Sequence, residues 1–273
     1  PAPLKVELQQ EVFSLNSETG LYIDASEGDK KILEDYLVAS SMNLKPVIAE
    51  EGHNVVLKQV AELPEVNSSE GYVLTVTPDQ VLIRATSGAG LFYGVQTMPA
   101  GVITDEPRFA YRGFMMDVSR HFFDKEFIKK QMDALAYYKL NRLHLHLTDA
   151  AGWRLEIKKY PRLTEFAAWR EFPTWKEWWN NGRRYEEEGS KDAHGGYYTQ
   201  DDIRELVAYA RERFITVIPE IEMPAHSEEV LTAYPELSCT HEPYKQADFC
   251  VGNEKTFEFL ENVLTEVMEL FPS

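Results

Sequence analysis

The stretch YRGFMMDVSRHF, residues 111–122, combines a short apolar run with a strongly polar end. Residues 113–118 are mostly apolar, and a run of this length bounded by polar residues is typical of a buried strand. Two later stretches have the same form, KLNRLHLHLTD at 139–149 and ITVIPEIEMPAH at 215–226. All three therefore predict strands, over 113–118, 143–147 and 215–221, that end in polar side chains.

Helical patterns separate and follow these strands. Asp124 can cap a helix with an apolar stripe, and Thr199 with Asp202 forms a capping box for a second helix that continues to about Arg213. A last helix is predicted over residues 254–270. Strands that alternate with helices across connections of this size indicate parallel βα units. Residues 109–273 are therefore predicted to form an α/β domain with about three such units.

The first 108 residues have a different pattern. Residues 72–76 and 81–85 alternate apolar and polar side chains around a turn, which predicts a half-buried antiparallel hairpin. Two helical patterns accompany it, one after Gly28 and one over residues 91–98. We therefore predict a separate, small α+β domain over residues 1–108.

Charge and composition exclude several classes of partner. The 273 residues carry 28 basic and 45 acidic side chains, a net charge of −17, which repels phosphate backbones and anionic lipid surfaces. No segment approaches the roughly 20 apolar residues that span a bilayer. We expect neither nucleic-acid binding nor membrane insertion. The two cysteines, Cys239 and Cys250, could form a disulfide or remain two unrelated thiols.

The first residues of the chain do not by themselves indicate the cellular compartment. Pro1, Ala2 and Pro3 lack the basic and apolar regions of a secretion signal, and a start without Met suggests a processed or engineered terminus. We expect a periplasmic or secreted protein.

The polar residues after the three strands are the candidate functional residues. Parallel βα folds place their active groups at the carboxyl ends of the strands. There the sequence supplies three clusters: Arg120 with His121, Asp149, and Glu222 with His226. A long connection between residues 154 and 198 holds four tryptophans and is predicted to overhang the same strand ends.

His144 and His146 lie two apart on the second strand and share a face, so they could ligate one metal ion. A metal-dependent barrel hydrolase that uses both of them with His226 is one hypothesis. Because the two histidines lie inside the strand, before its polar end, we favour buried, hydrogen-bonded structural histidines.

Four ordered motifs resemble the successive signatures of glycoside hydrolase family 20, the β-N-acetylhexosaminidases: residues 111–122, residues 139–149, Gly152-Trp153-Arg154 and residues 218–226. Residues 88–94 resemble the end of the small domain that precedes the barrel in this family. The resemblance implies a (β/α)₈ barrel, no cofactor and no metal. It also implies a glycosidase that removes terminal, non-reducing β-linked N-acetylglucosamine or N-acetylgalactosamine with retention.

The resemblance also implies roles for four residues. Arg120 matches the arginine that binds the outer hydroxyls of the sugar, and Asp149 and His226 match a pair that orients the general-acid Glu. Glu222 matches the carboxylate that holds this histidine. In this family the acetamido oxygen of the substrate replaces an enzyme nucleophile, so the expected partners are glycans or glycoconjugates that contain N-acetylhexosamine.

The chain departs from the family pattern at one important point. The catalytic Asp-Glu pair belongs to a Gly-Gly-Asp-Glu sequence on the fourth strand, and none occurs within the 273 residues. We expect these residues by themselves to be inactive and the activity to belong to a longer parent protein. A non-catalytic carbohydrate-binding remnant is the alternative. Ala225 and Phe214 replace glycines that are common in the family, and Phe214 would be strained in a left-handed conformation.

Overall fold

The computed structural model describes residues 3–7, 12–39, 44–97 and 102–272. Pro1, Ala2 and the last residue of the helix predicted over 91–98 lie outside these residues. The chain forms two compact units. The first contains the residues up to Arg112 with the short segments Ala136–Lys139 and Glu212–Phe214, and the second contains Gly113–Leu135, Leu140–Arg211 and the residues from Ile215 onward.

The first unit is built on one mixed sheet. Its elements are β1 Lys5–Glu7, β2 Gly20–Asp24, α1 Glu27–Ala39, β3 Lys45–Pro46, β4 Asn54–Gln59, β5 Tyr72–Val76, β6 Gln80–Ala85, α2 Gly88–Val95 and β7 Val102–Asp105. The described strands follow the order β1-β7-β5-β6-β4-β2-β3. The β5–β6 pair is antiparallel, with Tyr72 opposite Ala85, so the predicted hairpin is confirmed. Four of the five residues of β5 are buried, which is more than the half-buried pair we expected.

Helix α2 begins three residues earlier than the apolar pattern predicted. The Ser87 side chain accepts a hydrogen bond from the Gly90 backbone N–H and caps the helix there. A Cβ atom at Gly90 would lie 2.6 Å from the Gly71 carbonyl oxygen, so the helix can approach this backbone only with glycine. The small residues 88–90 are thus part of the helix.

The second unit alternates strands and helices. Its elements are β8 Gly113–Asp117, α3 Lys125–Tyr137 (whose last two residues belong to the first unit), β9 Arg142–His146, β10 Thr148–Asp149, β11 Gly152–Trp153, α4 Arg162–Glu165, β12 Trp169–Glu171, α5 Trp175–Asn180, β13 Ala193–Gly195, α6 Gln200–Arg211, β14 Thr216–Glu220, α7 Glu228–Ala233, a 3-10 helix Pro235–Leu237 and α8 Glu254–Leu270. The expected caps are formed, because Asp124 accepts from Phe127 N–H and Thr199 and Asp202 bond reciprocally. Helix α8 has the predicted bounds.

Strands β8, β9 and β14 form a parallel sheet in the order β14-β9-β8. The predicted α/β fold is therefore confirmed: this unit contains consecutive βα units of a (β/α)₈ barrel. The register places Asp117, His146 and Glu220 side by side at the carboxyl ends of the three strands. This alignment positions the candidate site.

Strand β8 is less buried than its apolar sequence predicted. Phe114 is 44% exposed and Met115 is 51% exposed, whereas Met116 is buried. The reason is topological: β8 lies at one edge of the three-stranded sheet, so β9 covers it on one side only.

Phe214, which replaces a common glycine, has the left-handed conformation in which we expected it to be strained, with φ at 55°. Its ring centroid lies 5.3 Å from that of Phe92, and both residues belong to the first unit. This aromatic contact offsets part of the backbone strain.

Helix α6 ends at Arg211, two residues before the predicted end.

Cys239 and Cys250 form a disulfide, which decides between the two alternatives that the sequence left open.

Among the described residues, none of the helices has the length and apolar content needed to cross a membrane.

Candidate active site

The candidate site lies just beyond the aligned ends of β8, β9 and β14. Strand β8 leads to Arg120, the short hairpin of β10 and β11 begins with Thr148 and Asp149, and β14 leads to Glu222 and His226. The structure therefore brings the sequence-predicted residues to one edge of one sheet, as expected for parallel strands.

Arg120 lies between two carboxylates. Its Nη2 is 2.6 Å from Asp149 Oδ2, and its Nη1 is 3.1 Å from Asp117 Oδ2. Asp117 also accepts the backbone N–H groups of Ser119 and Arg120 through Oδ1. The guanidinium fork is thus held by two charge-assisted contacts, and the side chain remains 34% exposed.

His146 is buried and contacts acidic groups through both ring nitrogens. Nδ1 is 2.8 Å from Glu220 Oε2, and Nε2 is 3.3 Å from Asp149 Oδ2. Burial opposes a charge on the ring, but the hydrogen bonds to Asp149 and Glu220 outweigh it and raise the pKa of His146 to about 9. Nη1 of Arg120 lies 2.8 Å from Nε2 and can donate to it once that nitrogen loses its proton.

Asp149 has three side-chain partners on one oxygen. His226 Nδ1 lies 3.1 Å from Oδ2, in addition to Arg120 and His146. Burial raises the pKa of this carboxyl, but the hydrogen bond from His146 and the charges of Arg120 and His226 outweigh burial and lower it. Asp149 is therefore an ionised carboxylate at the centre of the site.

Glu222 is placed differently from what the resemblance implied. The carboxylate that contacts His226 is Asp149, whereas Glu222 Oε1 lies 3.9 Å from Nδ1 of His146. The Glu222 backbone N–H is fixed by Thr148 Oγ1 at 2.8 Å, which places this residue beside the end of β9. Burial and the neighbouring Glu220 raise the pKa of the Glu222 carboxyl.

The two strand histidines share one carboxylate. His144 Nε2 is 2.6 Å from Glu220 Oε2, the same oxygen that His146 contacts. The preferred hypothesis of a buried, hydrogen-bonded histidine therefore describes His146, whereas His144 is half-buried and contacts Glu220. One group of potential metal ligands exists in the described part of the chain, His146, Asp149 and Glu222. Arg120 already supplies a cation to Asp149, so this carboxylate is balanced by a side chain of the chain itself.

A buried arginine holds the loops that carry these residues. Arg154 donates its guanidinium N–H groups to five backbone carbonyls, those of Val118, Ser119, Ala151, Ala168 and Gly196. Ser119 Oγ adds hydrogen bonds to the carbonyls of Asp149 and Gly152. The segments that follow β8 and β10 are therefore tied together, which fixes Arg120 relative to Asp149.

A cavity of about 340 Å³ opens beside this cluster. Its lining includes residues from the site, the long connection and the segment after β14: Arg120, Asp149, Ala150, Trp175, Trp179, Arg183, Ala225, His226, Glu228, Ala247 and Asp248. Two of the four tryptophans that were predicted to overhang the strand ends thus line it. Trp178 is buried, and Trp169 lines a different depression.

The family assignment follows from sequence comparison. The family model described as glycosyl hydrolase family 20, catalytic domain, matches residues 109–273, and the model for domain 2 of the same family matches residues 1–105. The chain belongs to glycosyl hydrolase family 20. The predicted resemblance is thereby confirmed.

Relatives and solved structures agree with this assignment. A β-hexosaminidase of Porphyromonas gingivalis is 38% identical over the whole of this chain and 37% of its own length. The N-acetyl-β-hexosaminidase of Streptomyces plicatus has a TM-score of 0.81 at 32% identity, and that of Bacteroides fragilis has 0.83 at 33%. Both alignments cover all of this chain and 56% and 55% of the solved chains, respectively. The chain thus spans about two fifths to just over half of these family members.

Sequence reasoning missed Asp117 and Glu220 as members of the site. The sequence position of each residue could have indicated its membership. Asp117 is the last residue of its strand, and Glu220 lies two residues before Glu222, so the two glutamates have the spacing of one strand face. Strand register, which aligns Asp117 and Glu220 with His146, was needed to bring them together.

Proposed function

We propose that the protein to which these residues belong is an exo-acting β-N-acetylhexosaminidase. It removes terminal, non-reducing β-linked N-acetylhexosamine by a retaining, substrate-assisted reaction. The observation that carries this proposal is the Arg120–Asp149–His226 cluster in a cavity at the carboxyl ends of barrel strands, in a chain that belongs to family 20.

Each residue has a proposed role. Arg120 lines the cavity and donates charge-assisted hydrogen bonds to the outer hydroxyls of the terminal sugar. Asp149 is ionised and orients His226, and the two together position and tune a general-acid Glu supplied by the family's Asp-Glu pair. In this chain Glu222 supports the site through His146, and Glu220 shares that function.

The proposed substrate class is supported by the relatives. Solved structures of family 20 enzymes from Streptomyces plicatus and Vibrio harveyi contain N-acetylglucosamine. We propose glycans or glycoconjugates that end in N-acetylhexosamine as the substrates of this protein.

The pH profile of hydrolysis tests the proposal in the full-length protein. Replacing Asp149 with Asn, or His226 with Ala, should lower kcat on an aryl β-N-acetylglucosaminide and distort the pH limb that reports the general acid. His241→Ala is a matched control, because His241 is an exposed histidine outside the cavity. Unchanged pH profiles in both variants would remove the pair from the mechanism, and sugar binding without turnover by the wild type would identify a carbohydrate-binding remnant instead.

We also propose a periplasmic or secreted location and a domain boundary near residue 108. The Cys239–Cys250 disulfide supports an oxidising compartment, since such bonds are rare in the cytosol. The division between the two compact units near Arg112 supports the boundary.

A further inference from the structure

Two exposed tryptophans form a stacked pair at the cavity beside Arg120. Trp175 and Trp179 lie four residues apart on α5 and therefore share one face of the helix. Their ring centroids are 5.4 Å apart with an interplanar angle of 28°. They are 42% and 48% exposed, and both line the cavity. Two large indole groups that are this exposed to solvent indicate a ligand-binding surface.

Buried and capping contacts of α5 hold the two exposed tryptophans rigidly. Trp178, between the two, is fully buried and donates its indole N–H to the Arg184 carbonyl at 3.0 Å. Thr174 caps α5 by accepting from Glu177 N–H, and its hydroxyl contacts the Glu177 carboxylate at 2.6 Å. The exposed rings thus have little conformational freedom to lose when a ligand binds.

An ion pair between Arg183 and Glu228 packs against the ring of Trp179. The Arg183 guanidinium carbon lies 4.9 Å from the centroid of Trp179, and Nη1 of Arg183 is 2.8 Å from the buried carboxylate of Glu228. Because Glu228 supplies an opposite charge to Arg183, the surface around the rings offers aromatic area without an unpaired cation. Such a surface suits a neutral ring better than an anionic one.

The position of the pair determines which part of a substrate it meets. Asp149 is buried and therefore marks the inner end of the cavity, whereas the two tryptophans are exposed. In an exo-acting enzyme the terminal sugar occupies the inner end, and the bond to be broken leads outward. The exposed rings therefore lie on the side of the leaving group.

We propose that Trp175 and Trp179 form a binding platform for the leaving group, and that they select a neutral pyranose ring there over a small alkyl group. The apolar C–H face of a pyranose covers an indole ring, and this contact buries apolar area on both partners. The inference rests on the proposed function, since a leaving group exists only if the terminal sugar is removed.

The test compares two substrates in the full-length protein, N,N′-diacetylchitobiose and methyl β-N-acetylglucosaminide. Trp175→Ala and Trp179→Ala should each lower kcat/KM for the disaccharide about three- to tenfold, the range expected for one aromatic contact, and change it less than about twofold for the methyl glycoside. Trp175→Tyr should retain most of the activity on the disaccharide because an aromatic face remains. Lys176→Ala, on the same helix but outside the cavity, is the matched control.

Calorimetric binding separates this inference from the proposed function. If the wild type hydrolyses neither compound, the proposed function fails, and the platform is then tested by whether the tryptophan variants weaken binding of the disaccharide but not of N-acetylglucosamine. Equal losses for both ligands, in rate or in affinity, would overturn the platform, as would unchanged values for the disaccharide.

Discussion

Asp149 is the residue on which the contacts of the site converge. Its Oδ2 meets Arg120, His146 and His226, and its Oδ1 accepts the Ala150 backbone N–H at 2.7 Å. A buried carboxylate is costly unless it is paired and hydrogen-bonded, and both oxygens here have partners. The charge of Asp149 is therefore supported by three side chains, those of Arg120, His146 and His226.

Arg120→Lys should lower kcat/KM on an aryl β-N-acetylglucosaminide by about 10- to 100-fold in the full-length protein. A lysine ammonium is a point charge and cannot reproduce the fork that spans Asp117 and Asp149, so the loss should be on the scale of one charge-assisted hydrogen bond, roughly 1.5 to 3 kcal/mol. Arg204→Lys, on the exposed side of α6, is the control. Hydrolysis at the wild-type rate by Arg120→Lys would show that Arg120 does not bind the sugar.

His146 should make the stability of the fold depend on pH above neutrality. Because the pKa of His146 is raised from 6.5 to about 9, its contribution is complete below pH 6.5 and is lost as the pH rises toward 9. The contribution is on the order of 3 kcal/mol at most. Urea unfolding of the wild type should show a decrease in free energy over this range that His146→Asn lacks and that the exposed control His194→Gln retains. Parallel pH dependences in the wild type and His146→Asn would contradict the assignment.

At the scale of elements, the end of α3 shows how a non-glycine residue adopts a left-handed conformation. Lys139 has φ at 59°, and the N–H groups of Lys139 and Leu140 bond the carbonyls of Ala136 and Leu135 in a Schellman motif. The Lys139 ammonium contacts Tyr72 Oη at 2.7 Å and Asp105 Oδ2 at 3.1 Å. Burial lowers the pKa of Lys139, and Asp105 opposes this shift. The buried contacts explain why lysine, and not glycine, stands at this helix end.

Lys139→Met should destabilise the chain by about 3 kcal/mol, because Asp105 would then be buried without its cation. The measurement is urea unfolding, with Lys130→Met on the exposed face of α3 as the control. Adding Asp105→Asn to Lys139→Met should recover part of the loss, since the unpaired charge is removed. A double variant no more stable than the single one would show that the ion pair is not the source of the effect.

At the scale of the whole molecule, the described barrel sheet has β9 paired on both sides and β8 and β14 paired on one side each. A strand paired on one side presents free N–H and C=O groups, and a closed barrel has no such edges. The first unit contains a seven-stranded sheet of its own.

The 273-residue polypeptide, expressed by itself, should hydrolyse no aryl β-N-acetylglucosaminide above background and should associate in solution. It contains no Gly-Gly-Asp-Glu sequence, and general acid catalysis is typically worth about 10²- to 10⁴-fold in rate. Enzyme assays and light scattering after size-exclusion chromatography test both parts. A monomeric sample with hexosaminidase turnover would show that a carboxylate within these residues is the acid.

Local sequence determined much of this protein. Apolar periodicity, caps and turn residues act between neighbours along the chain, so they predicted the parallel strands, α8 and the caps of α3 and α6 from the sequence alone. The ordered motifs likewise predicted the family, and the ends of the strands located Arg120, Asp149 and His226. These features depend on interactions over a few residues, or on signatures that are themselves contiguous.

Tertiary structure decided which partner each of these residues meets. The contact of His226 with Asp149 instead of Glu222, and the recruitment of Asp117 and Glu220, depend on the register of strands that lie 25 or more residues apart in sequence. The exposure of Trp175 and Trp179, and the burial of Trp178 between them, depend on how the long connection packs in the folded chain. Charges and rings interact through space over a few ångströms, and only the folded chain sets those distances.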